Sequence, residues 1–157
     1  MITAEDIVSL LWAANVNGSK AALHISDATH GVPTKKYLTE TFADFYRAKL
    51  EEMGLGTWDT QWDCDDFAYQ FFTMIRWAHY QTKKSMAEGI AVGVVYFTSG
   101  ARAEDGTGGG HAINVAVVDD NGSRRLIFIE PQRAAKGQPC ELELTQHEKD
   151  SIWYITF

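Results

Sequence analysis

The stretch HAINVAVVDDNGSRRLIFIEP, residues 111–131, leaves the chain little freedom. Two strand-length runs rich in β-branched residues flank Asp119-Asp120-Asn121-Gly122, and Asn-Gly supplies the positive-φ residues that a tight hairpin turn requires. An antiparallel hairpin is predicted, and its pairing brings Glu130-Pro131-Gln132, at the end of the second run, beside His111, at the start of the first. The runs IAVGVVYF (90–97) and SIWYITF (151–157) read as further strands of the same sheet.

Before Gly89 the rhythm is helical. Residues from Ala4 to about Ala14 carry Glu5 and Asp6 in a first turn and Ile7, Leu10, Leu11 and Ala14 at helical spacing, with Asn17-Gly18 as the stop. LTETFADFYRAKLEEMG (38–54) places Leu38, Phe42, Phe45, Leu50 and Met53 on one face, with Thr39 as a cap and Gly54 as a stop. In DCDDFAYQFFTMIRWAHYQTKK (63–84), Cys64, Phe67, Ala68, Phe71, Phe72, Ile75 and Ala78 keep the i, i+3, i+4 spacing for four turns. This third helix reads as the central one, with Cys64 in its first turn. Helices followed by strands predict an α+β fold, N-terminal helices packed on a C-terminal antiparallel sheet, and 157 residues suit a single domain over 1–157.

Charge narrows the partners. Fourteen Lys and Arg against 21 Asp and Glu give a net charge of -7, and no basic run exists to neutralise phosphates, so nucleic acid is not an expected partner. No apolar run approaches the ~20 residues of a membrane span, and the start has acidic residues where an export signal carries basic ones. A cytoplasmic location without a membrane partner is the expectation. Cys64 and Cys140 stand far apart, which fits a reducing compartment and leaves one long-range disulfide as the alternative.

A thiol at a helix N-terminus faces unpaired backbone N–H groups and the positive end of the dipole, a setting that suits a nucleophile. Such a thiol needs a base, and His111, after GTGGG, is the best placed of five histidines. Glu130 or Gln132 would orient the imidazole. The plain alternatives are an inert core thiol, a strand-end histidine and a surface acid. Cys140 has no neighbouring base and reads as structural. His24, His30, His79 and His147 show no partner spacing, and no CxxC or HxxxH completes a zinc site.

The motifs WDCDDFA, GGHAINVAV and IEPQ place Cys at a helix start, His at a strand start and an acid at the end of the next strand. In that order the chain resembles the papain-like and transglutaminase-like cysteine proteases, and more closely the calcium-dependent papain-like domain at the C-terminus of a mushroom agglutinin. The resemblance implies a papain-like/transglutaminase-like fold and a cysteine hydrolase, peptidase or amidase, acting on a peptide or protein substrate through a thioester. Cys64 would be the nucleophile, His111 the base and Glu130 the orienting acid, with no cofactor required for the chemistry. Gln61 or Gln132 would help the Cys64 N–H hold the oxyanion. Trp58 and Trp62 would line a groove or else cover the helix end. The sequence departs from papain, with Trp58 six positions before the cysteine where papain has Gln, and Glu as third residue. It also lacks anything like a β-trefoil, so carbohydrate binding is not carried over. Two other readings are a cell-wall peptide amidase and a catalytically silent binding or structural domain.

Asp59, Asp63, Asp65 and Asp66 crowd negative charge around Cys64. Either they cap the helix and face water, or Asp63 and Asp65, with backbone carbonyls or Gln132, hold a hard divalent cation, expected to be Ca²⁺.

Overall fold

The computed structural model describes residues 1–16, 21–83, 89–99 and 109–157. In chain order the elements are β1 (Ile2–Thr3), α1 (Ala4–Ala13), β2 (Ala22–His24), β3 (Thr29–Gly31), a single π turn (Tyr37–Thr41) running into α2 (Phe42–Met53), and α3 (Cys64–Lys83). There follow β4 (Gly89–Ile90), β5 (Val92–Ser99), β6 (Gly109–Asp120), β7 (Ser123–Ile129), α4 (Pro131–Ala135), β8 (Glu141–Leu142), α5 (Gln146–Asp150) and β9 (Tyr154–Thr156).

Local chemistry sets the boundaries. α1 opens with a capping box, in which the Thr3 side chain accepts from the Asp6 N–H and the Thr3 N–H donates to the Asp6 carboxylate. It ends before Asn15, at φ 56; the expected stop at Asn17-Gly18 lies outside the described residues. Thr39, expected to cap the second helix, sits inside the π turn and donates its hydroxyl to the Lys35 carbonyl. Thr34 is the capping side chain instead, accepting from the Tyr37 N–H. Gly54 ends α2 at φ 70, a conformation a side chain would resist.

The predicted hairpin forms. β6 and β7 pair from Asn114↔Ile129 to Asp120↔Ser123, and Asn121 (φ 55) and Gly122 (φ 86) make the turn. The larger sheet has the order β2-β9-β5-β6-β7-β8 and the smaller one β1-β3-β4. The expected layout of N-terminal helices on one C-terminal antiparallel sheet is therefore corrected to a mixed α/β arrangement with two sheets. β2 lies parallel to β9 and β3 parallel to β4, so N-terminal strands enter both sheets. Runs of two or three residues carry no alternating pattern to read; only distant pairing makes them strands.

The central strands are apolar on both faces. Val92, Ala116, Val118, Ile127 and Ile129 pack with α2 and α3 residues, including Phe42, Tyr46 and Phe71. Val95, Phe97, Ile113, Val115 and Val117 pack on the other face with Ile7, Leu11 and the C-terminal Ile155 and Phe157. Two polar side chains pin α3 to this frame: the Tyr46 hydroxyl donates to the Phe67 carbonyl (3.0 Å), and Asn114 Nδ2 donates to the carbonyls of Ala68 (2.9 Å) and Gly93 (3.0 Å). Both are fully buried, so these bonds exchange without competition from water. Among the described residues no helix is long and apolar enough to cross a membrane.

Candidate functional site

Two aspartates fix the start of α3. The Asp63 carbonyl accepts the first helical bond from Phe67 (3.1 Å) and its Oδ1 accepts from the Asp65 N–H (3.3 Å), while Asp66 Oδ2 accepts from the Asp63 N–H (3.1 Å). Asp63 thus caps the helix through the Asp65 N–H and Asp66 reaches back to the Asp63 N–H, an arrangement of acids favoured by the helix dipole. A tight turn precedes it, closed by paired backbone bonds between Asp59 and Trp62 (2.9 and 3.0 Å). Cys64, half-buried, is thereby held in the first turn, where backbone N–H groups have no helical partner.

The hairpin supplies the other two groups. Glu130 follows β7 and caps α4, its Oε1 accepting from the Gln132 N–H (3.1 Å), while its Oε2 meets His111 Nε2 at 2.7 Å. Both carboxylate oxygens are thus committed, and Glu130 and His111 are 7% and 4% exposed. The His111 ring stands edge-to-face against Phe97 (5.6 Å); with Nε2 committed to Glu130, Nδ1 is the nitrogen left to interact with the neighbouring Cys64 side chain. Burial pulls the His111 pKa down, but the hydrogen bonds to Cys64 and Glu130 and their negative charge outweigh it, raising the value from 6.5 to about 9. His111 is therefore a cation at neutral pH, lying between a sulfur at a helix N-terminus and a fixed carboxylate. Such a setting makes a thiol a good nucleophile toward electrophilic carbon, and it is equally a polar, pre-ordered surface for a ligand.

The structure thus brings together Cys64, His111 and Glu130, with Gln132 buried one turn away on α4. Gln61 and Trp58 remain exposed on the preceding turn, where the Gln61 N–H is taken by Asp59 Oδ1 (3.0 Å). Trp62 lies edge-to-face on Phe67 (5.7 Å) and covers the helix end. Ligand atoms of Asp63, Cys64 and Asp65 fall within 4.8 Å of one another. A hydrogen bond with Asp63, then burial and neighbouring charge, raises the Asp65 pKa to about 6. Two carboxylate side chains supply only part of the six to eight oxygens that Ca²⁺ takes, so an ion would need carbonyls and water for the rest. Cys140 is buried, its pKa pushed up to about 11 mainly by desolvation.

Sequence reasoning missed Tyr46 and Asn114, which hold α3 against the hairpin. Asn114 had a signal: a lone polar residue inside the apolar run HAINVAVV. It also missed Tyr96, which packs with Cys64 against Ala68, Val94 and Ala112.

Comparison with known proteins adds the lineage. The family model "Agglutinin C-terminal" matches residues 37–136, more than half of the chain and the whole segment from the π turn to the end of α4. The chain is similar in fold to the solved PSL1a–E64 complex (TM-score 0.68, 20% identity, 99% of this chain and 51% of that one). It is also similar to Polyporus squamosus lectin bound to the human-type influenza-binding epitope Neu5Acα2-6Galβ1-4GlcNAc (TM-score 0.58, 18% identity, 95% of this chain and 48% of that one). The chain spans about half the length of each. No curated protein matches it.

These findings correct several expectations. The family is one of agglutinins and the fold relatives are PSL1a and a lectin; none is described as a papain-like or transglutaminase-like protease. The assignment to that superfamily and fold class is withdrawn, and so is the reading of the chain as an enzyme, a cysteine peptidase or amidase. The reason is physical: a thiol, an imidazole and an acid in this chain order define a constellation, and a constellation alone does not define a reaction. The chain belongs to the agglutinin C-terminal family.

Proposed function

We propose that the chain is a binding domain of an agglutinin, catalytically silent, with carbohydrate as its partner in place of the peptide or protein substrate expected from the sequence. One observation carries this reading: the agglutinin family match spans residues 37–136 and so contains Cys64, His111, Glu130 and Gln132. The similarity to a lectin seen with a sialylated trisaccharide supports it. In this reading the three residues form a rigid polar recess. Glu130 is spent on His111 and α4, so the Cys64 edge and the α3 N-terminus are what a ligand would meet, bordered by Trp58 and Gln61 on the exposed turn. Ca²⁺ enters only as a companion on Asp63 and Asp65 that would steady that turn.

Calorimetric titration of the folded chain with Galβ1-4GlcNAc and Neu5Acα2-6Galβ1-4GlcNAc, alongside an assay of peptide-amide turnover, tests the reading. Saturable glycan binding without turnover supports it. Failure to bind either glycan, or amide turnover that Cys64→Ala abolishes, overturns it.

A further inference from the structure

His30 is the middle residue of β3, the central strand of the smaller sheet, and it is fully buried with neither ring nitrogen hydrogen-bonded among the described residues. The flanking strands bring it no charge, since its register partners are Ile2 on β1 and Gly89 on β4. Charge comes from two other places. Asp27, in the segment that enters β3, sets negative charge near the ring, and Arg76 on α3 sets positive charge there. His79, also on α3, lies against the next residue of the strand: a Cβ on Gly31 would stand 2.8 Å from its Cε1. Gly89 marks where Asp27 and His30 meet. A Cβ built there would stand 2.5 Å from Asp27 Oδ2 and 2.9 Å from His30 Cδ2, so carboxylate and imidazole approach one point over β4 that a side chain would fill. Yet Asp27 is held elsewhere and loosely. Its Oδ2 accepts from Arg76 Nη2 and from Ser26 Oγ, each at 3.4 Å, near the outer limit of a hydrogen bond, and the Arg76 and Asp27 side chains are 36% and 31% exposed. Arg76 has a second resting place, over the Phe72 ring at 5.3 Å.

We propose that His30, Asp27 and Arg76 form an acid-driven switch in which the Asp27 carboxylate exchanges partners, holding Arg76 at neutral pH and turning to the His30 imidazolium when His30 takes a proton. Arg76 is then left to the Phe72 ring and water. One proton enters from solvent, one ion pair breaks and another forms. The driving force is the cost of a buried imidazolium without a counter-ion, and Asp27 is the anion at hand. Burial holds the His30 pKa below 6.5, so the exchange runs as pH falls below that value and is complete on the acid side. Its consequence reaches α3. The Arg76–Asp27 pair joins that helix to the segment entering β3, and Phe72 packs in the cluster of Ala68, Val94 and Ala112 that also takes Cys64. Acid therefore removes a tie on the helix that carries Cys64, whatever the chain binds.

NMR of the isotopically labelled full chain from about pH 7.5 to about pH 4.5 tests the switch, following the His30 ring signals and the order of the Arg76 side chain by relaxation at Nε, with circular dichroism recording the fold. The expected result is a loss of Arg76 order that shares its midpoint with the His30 titration, below 6.5, in a chain that stays folded. Arg76→Gln, which removes the competitor and its charge, should raise the His30 proton affinity about threefold or more, and Asp27→Asn should lower it by a similar factor. In His30→Gln the Arg76 side chain should stay ordered over the interval in which the wild type loosens. An Arg76 as ordered below the His30 midpoint as above it overturns the exchange, as does an unchanged midpoint in Arg76→Gln or a His30 that takes no proton before the chain unfolds. Arg76 and Asp27 are partly exposed, so if His30→Gln does not fold, the wild type and these two variants decide the matter.

Discussion

His30 and His111 lie on different sheets, are 0% and 4% exposed, and have opposite chemistry. Neither ring nitrogen of His30 meets a hydrogen-bond partner among the described residues; burial lowers its pKa, opposed by the charge of Asp27 and aided by that of Arg76. His111 has Glu130 on one nitrogen and Cys64 for the other, and is charged at neutral pH. Burial alone therefore does not decide what a histidine does in this protein. The balance of nearby charge decides it: Asp27 does not offset burial at His30, whereas Glu130 and Cys64 at the hairpin end outweigh it at His111.

The largest break in that comparison is Glu130→Ala, which leaves a buried imidazolium without its acid and an α4 N-terminus without its cap. Thermal or urea unfolding should show a loss of about 3–5 kcal/mol. Glu130→Gln, which keeps the cap, should cost visibly less.

The two histidines also predict opposite pH limbs. The His111 pKa is raised in the folded state, so its contribution is complete below about 6.5 and is lost as pH rises through about 9. Over that interval stability should fall by a few kcal/mol, and His111→Gln should flatten the decline. The His30 pKa is lowered, so its effect lies on the acid side: stability falls as pH drops below about 6.5 and the unfolded chain takes the proton first. His30→Leu should remove part of the acid limb while changing stability at pH 7 by less than about 1 kcal/mol. A loss of several kcal/mol there would mean that His30 is bonded to water or to another group.

The thiols repeat the contrast more mildly. Iodoacetamide near neutral pH should label Cys64, beside a cationic His111, at least about tenfold faster than buried Cys140, by peptide mass spectrometry. Equal rates would mean that the sulfur–imidazole contact is not kept in solution. The smallest expected effect is calcium: millimolar Ca²⁺ should raise Tm by a few degrees in the wild type and not in Asp65→Asn if Asp63 and Asp65 share an ion.

What the sequence disclosed follows from the range of each signal. The hairpin, the stop at Gly54 and the start of α3 at Cys64 depend on neighbours a few residues apart, so their patterns were readable. The meeting of His111 with Glu130 was readable too, because one turn, Asn121-Gly122, fixes the register that joins them. β1, β2 and β3 were not, since two or three residues hold no period. The packing of Tyr96 against Tyr69 and Trp153 was hidden because the three rings come from α3, β5 and the segment before β9, which only the tertiary fold brings together. Function was not legible at the constellation itself, which fitted both the hydrolase and the catalytically silent binding domain that the sequence left open, and the comparisons favour the second. Sulfur, imidazole and carboxylate in contact look alike in a site that turns over substrate and in one that only holds a ligand.

The most direct test of the binding account is a titration of Galβ1-4GlcNAc into isotopically labelled protein, following the His111 ring signals and the backbone amides of Gln61 and Cys64 together. Saturable shifts of these amides, with His111 still protonated at pH 7 and the sugar recovered intact, are the predicted result. Amides that stay fixed at saturating sugar while the chain cleaves a peptide amide in a Cys64-dependent manner would contradict it.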